Sequence, residues 1–86
     1  MKHIVLVSRD KKHFKVFTLN IITRIDVCKL NSNPDDDSRG ICVFEEDSCT
    51  HTYKIVSFDF DQFASFINGN GINDKMFIIN VEQIEV

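Results

Sequence analysis

The chain lacks most of the features by which a small protein declares a chemistry. Its 86 residues hold no Gly-rich phosphate loop, no Gly-x-Ser-x-Gly and no His-Glu-x-x-His. Phosphate cradling, an exposed serine nucleophile and a zinc protease helix are therefore without their usual parts. No cysteines form a Cys-x-x-Cys pair, and Cys28, Cys42 and Cys49 are odd in number. Three free thiols in a reducing cytosol are expected rather than a disulfide framework. The N-terminal apolar run, Ile4 to Val7, is too short for a signal peptide or a membrane span, so no membrane association is expected and the location is read as cytoplasmic. Proline occurs once and no linker or low-complexity segment divides the chain, so residues 1–86 read as a single small globular domain.

What the chain does have is apolar bulk, including eight phenylalanines, enough for a core without staples. It is organised around residues 51–69. His51 to Ser57 reads as a strand that runs into a helix of about residues 59–68. Phe60, Phe63, Ala64 and Ile67 fall at i, i+3, i+4 and i+7, the spacing of one helical stripe. Asp59 is placed to cap the first free amides with Gln62 completing a capping box, and Phe58 with Phe63 has the spacing of a hydrophobic staple. Gly69 after Asn68 supplies the left-handed stop. A helix of about ten residues is not stable alone in water, so its stripe must lie on a sheet.

The strands are legible as apolar stretches. His3 to Ser8 carries an unbroken run that suits a central or doubly covered strand; Arg9 to Lys12 is a turn, and His13 to Leu19 makes the second arm of a hairpin. Phe14 and Val16 point one way and Phe17 and Leu19 the other, which predicts a bulge or twist between Val16 and Phe17. Ile22 to Lys29, Gly40 to Glu45 and Met76 to Ile79 are further strands. Asn31 to Arg39 is the clearest loop, Glu46 to Thr50 a second turn, and Asn70-Gly71 and Asn73-Asp74 a third. The phenylalanines are core by their spacing, with Phe66 at the edge of the stripe and Phe58 at its entrance as the candidates for exposure. The expected fold is α+β: a twisted, mainly antiparallel sheet of four to six strands with one short helix on one face, in the order ββββ-β-α-β.

Charge is unevenly spread. Residues 1–34 carry seven bases against two acids, and residues 35–61 carry eight acids against two bases, within a net charge of −3. The acids Asp35, Asp36, Asp37, Glu45, Glu46 and Asp47 are candidates for meeting a basic protein partner; Arg9, Lys11, Lys12 and Lys15 are the alternative, a nucleic-acid contact from the first hairpin. Mutual neutralisation across the fold explains both segments equally simply. Asp35, Asp37 and Glu46 fit positions of a calcium loop, but Arg39 stands where an oxygen ligand belongs and residues 40–45 read as strand, which excludes an EF-hand. Cys42, Cys49 and His51 supply too few ligands for zinc, and Asp59 and Asp61 already suit a helix first turn. No metal, cofactor or catalytic residue is assigned.

In arrangement the chain resembles the LytTR-type DNA-binding domain of response regulators: a strand, an Asn-containing turn, an Ile25-Asp26-Val27 strand, a hairpin, a capped helix and the closing FIINVEQI. Where that family has basic residues before its last strand, this chain has Ile72, Asn73, Asp74 and Lys75, so DNA binding is not carried over. The expectation is a small non-enzymatic interaction protein: a regulator, adaptor or inhibitor. One strand neighbour pair, Val5 with Val7 or Ile4 with Leu6, must face away from a single helix, and the final strand reads as an exposed pairing edge, so a homodimer or a tight protein partner is expected.

Overall fold

The computed structural model describes residues 2–49, 51–69 and 75–84. The Asn70-Gly71 and Asn73-Asp74 turns and the residues set against the LytTR-type pattern at 72–74 lie outside them. Six strands form one sheet: β1 (His3–Ser8), β2 (Phe14–Thr18), β3 (Ile22–Lys29), β4 (Arg39–Glu45), β5 (Tyr53–Ser57) and β6 (Met76–Val81), with the helix α1 (Phe60–Ile67) between β5 and β6. The strand order is β2-β1-β6-β5-β4-β3; β1 and β6 run parallel and every other pair is antiparallel. The α+β architecture and the order along the chain are those expected from the sequence.

The connections force this sheet to curl. Strands β2 and β3 lie at its two ends, yet only the 3-10 turn Leu19–Ile21 joins them. The four steps from Thr18 to Ile22 reach no further than about 14 Å, so the two ends must come near each other. The ladder thins on both sides of β5, which meets β4 at Gly40↔Lys54 and Ile41↔Tyr53 and β6 at Ile55↔Val81 and Ser57↔Asn80. Lys15 of β2 then reaches across the interior, its ammonium 3.2 Å from the Tyr53 hydroxyl and over the rings of Phe17 and Tyr53. The concave side holds the core: Ile4, Leu6, Phe17, Ile41, Val43, Tyr53, Ile79 and Val81, closed by Phe66 and Ile84.

The helix is built at both ends as its sequence specifies. Asp59 accepts a hydrogen bond from the Gln62 amide at 3.0 Å, and the Phe58 and Phe63 rings meet at 5.4 Å, which is the staple. Asn68 caps the other end and Gly69 takes φ 74°, the left-handed conformation a Cβ would disfavour. The Lys2 ammonium donates to the Phe66 carbonyl at 2.6 Å, a cation at the negative end of the helix.

The face the helix buries differs from the expected stripe. Phe66 is 2 % exposed, whereas Phe60 is 64 % exposed and Ile67 is also open; Phe63 and Ala64 are half-buried. The cause lies in β6. Phe77 gathers Phe58, Phe63 and Phe66 at ring separations of 6.4, 5.2 and 5.5 Å, and this rotates α1 so that Phe63 and Phe66 point inward. Two further expectations are corrected. β2 pairs with β1 in unbroken register from Phe14 to Thr18, so no bulge separates Val16 from Phe17; the side chains simply alternate. β6 is not an edge, because it lies between β1 and β5, and the sheet edges are β2 and β3.

Candidate interaction surface

Alternation along β1 decides which of its apolar pairs faces out. Ile4 and Leu6 are fully buried in the core, so Val5 and Val7 stand on the convex side. The register carries that side onto both neighbours. Val5 lies between Val16 and Ile78, and Val7 between Phe14 and Asn80. Val5 and Val7 are only 7 % and 8 % exposed, but Phe14, Val16, Met76 and Ile78 are 62, 60, 56 and 54 % exposed. Small valines on β1 thus floor a furrow between two ridges of larger side chains. His3, Thr18, Asn80 and Ser57 complete the face, the last two joined at 3.4 Å. Within β1, β2 and β6 no Asp, Glu, Lys or Arg points from it, Lys15 being turned inward onto Tyr53. The Arg9–Glu82 ion pair follows Val7 and Asn80 at one end, and Asp59 and Asp61 line the groove beside Met76 and Ile78.

The charged candidates are placed elsewhere, and not together. Asp35, Asp36 and Asp37 occupy the β3–β4 loop; Glu45 ends β4, and Glu46 and Asp47 occupy the β4–β5 turn with φ 53° and 63°. The seven residues of β4 separate the two groups by about 20 Å, so they do not form one acidic surface. Asp36 holds its own loop in shape. Its carboxylate accepts from the Ser38 amide at 2.8 Å and the Asn31 side-chain amide at 2.6 Å. Hydrogen bonds from Ser38, then from Asn31, lower its pKa to about 2. Such a depressed carboxylate stabilises the fold above its ordinary value of 3.8, and the contribution disappears as the pH falls through about 2. Asp36→Ala is therefore expected to be less stable than wild type at neutral pH and equal to it near pH 2, in denaturant unfolding followed at several pH values. A difference that persists at pH 2 would assign the effect to loop packing instead.

The basic hairpin is likewise partly committed. The Arg9 guanidinium donates to both Glu82 carboxylate oxygens at 3.0 Å, and Lys15 lies in the interior as described. Asp10 shapes the tip: its carboxylate accepts from the Ser8 hydroxyl at 2.6 Å and the Lys12 amide at 2.9 Å, and these bonds lower its pKa. Only Lys11 and Lys12 of the four basic candidates extend from the hairpin without such a contact on the described residues.

The chemistry elsewhere is sparse. Cys28, Cys42 and Cys49 are free thiols; burial, and then the neighbouring Cys42, push the Cys49 thiol up, the direction opposite to that of an activated nucleophile. Among the described residues no three His, Cys, Asp or Glu side chains gather to hold a metal ion, and no helix is long and apolar enough to cross a membrane. An open groove of about 940 Å³ runs between α1 and β6, past Phe58, Asp59, Asp61, Gln62, Met76 and Ile78. Asp59 is spent as the helix cap there, and the groove opens onto the convex face through Met76 and Ile78. Sequence reasoning reached Val5 and Val7 but missed Phe14, Val16, Met76 and Ile78; the signal was present, since register and alternation put the odd side chains of β1 beside the even ones of β2 and β6. No family model, no curated protein and no solved structure matches the chain, so no relative lends this surface a role.

Proposed function

We infer that the protein is a non-enzymatic interaction module that works through the convex face of β2, β1 and β6. The single observation that supports this is a run of four large apolar side chains on one face, Phe14, Val16, Met76 and Ile78, all more than half exposed. Together they offer on the order of 400 Å² of mostly apolar surface, the size of the largest apolar patch on a typical monomer, which is often a functional one. The hairpin tip at Lys11 and Lys12 and the acidic segments 35–37 and 45–47, placed away from this face, would add long-range steering, not adhesion.

The test compares the wild-type chain with the double variant Val16→Glu, Ile78→Glu. Both positions are exposed, so the variant is expected to keep the wild-type circular dichroism. Association with protein, either self-association or retention of a partner from lysate, is expected for the wild type and lost in the variant. Equal behaviour of the two proteins would remove the face as the functional surface.

A further inference from the structure

We propose that the occupant of the convex face is a second copy of this chain, docked sheet against sheet about a two-fold axis that runs between the β1 furrow and one of its flanking ridges. This rests on the reading of that face as an interaction surface and adds its partner.

Three observations point to a copy. The first is charge. The three strands present no Asp, Glu, Lys or Arg from this face, and the charges at its border are the paired Arg9 and Glu82 and, along the open groove, Asp59 and Asp61. The centres of two such faces therefore meet without burying an unpaired ion. The second is relief. A two-fold contact sets the same patch against itself, so each raised feature must find a depression on its own kind. Here Val5 and Val7 form a floor between the Phe14–Val16 ridge on β2 and the Met76–Ile78 ridge on β6. Two twisted sheets packed face to face, their strands about 30° apart, let a ridge of each copy settle over the other's furrow.

The third is area. The four ridge side chains of two copies expose about 800 Å² between them, and with His3, Thr18, Asn80 and Ser57 around them a contact that covers the whole patch approaches the roughly 1,000 Å² at the lower limit of a specific interface. A face-to-face mode is also favoured over edge pairing. The free edge strand β2 carries Lys15 pointing inward and ends at a turn holding Lys11 and Lys12, the features that discourage strand addition.

Light scattering coupled to size exclusion, on the purified full chain at about 10–100 μM (a range in which interfaces of this size associate), is expected to give twice the 10.0 kDa monomer mass. The isologous contact places each substitution twice in the interface. Val16→Glu and Ile78→Glu, each alone, should therefore weaken dimerisation on the order of 100-fold or more. Phe14→Lys, at the edge of the patch and in a different strand from Ile78, provides a second route should one variant misfold. The wild-type melting temperature should rise with protein concentration, and that of the variants should not. A dimer that survives all three substitutions, or a wild-type monomer, overturns the proposal. A monomer that still retains a partner through Val16 and Ile78 overturns the dimer alone and leaves the interaction reading standing. A monomer with no face-dependent partner overturns both.

Discussion

Replacing Phe66 with alanine is expected to lower the stability of the fold by about 3–5 kcal/mol, most of what a domain of this size possesses. The ring is 2 % exposed, stacks on Phe77 at 5.5 Å and lies under the Lys2 ammonium at 5.0 Å, so its removal leaves a cavity that neither helix nor sheet can close. Phe60, in the same helix but 64 % exposed, should tolerate alanine within about 1 kcal/mol. Urea unfolding at one fixed protein concentration makes the comparison. A loss at Phe60 as large as or larger than that at Phe66 would mean that the helix sits on the Phe60–Phe63–Ala64–Ile67 stripe and not on the face described.

The second large effect separates the two faces of a single strand. Ile79 is fully buried, and Ile79→Ala should cost about 2–5 kcal/mol. Its neighbour Ile78 is 54 % exposed on the convex side, and Ile78→Ala should cost about 1 kcal/mol or less in dilute solution. Any larger cost at Ile78 should appear only as the protein concentration rises, because it would come from association and not from the core. Equal, concentration-independent losses at both positions would place a packed layer on each side of β6.

Both substitutions show where sequence reasoning stops. The helix limits were readable because caps and staples are local: Asp59 to Gln62, Phe58 to Phe63 and Asn68 to Gly69 each act within five residues. The rotation of the helix was not readable, since it depends on Phe77, which is fixed by the pairing of β6 with β1. The same holds for the first strand. Ile4 to Val7 has no polar residue to mark an outer side, so alternation leaves two solutions, and only the neighbours Phe17 and Ile79 select the one with Ile4 and Leu6 inside. The acidic segments look like one feature along the chain because only seven residues separate them, but those residues form an extended strand. Proximity in sequence became distance in space.

The parallel pairing of β1 with β6 bears on when the protein can fold. His3 and Met76, partners in that ladder, stand 73 residues apart, and Ile4 and Leu6 share their core with Phe66, Ile79 and Val81, all from the last third of the chain. The hairpins β1–β2 and β3–β4 need only local chain and can close within microseconds of being made. The core cannot. On a ribosome that adds about 5–20 residues per second, the first strand waits for several seconds with its apolar run uncovered before its partner emerges. Folding therefore falls after synthesis of residues 76–81, as one late step dominated by long-range contacts, and refolding from denaturant is expected to be slow for so short a chain.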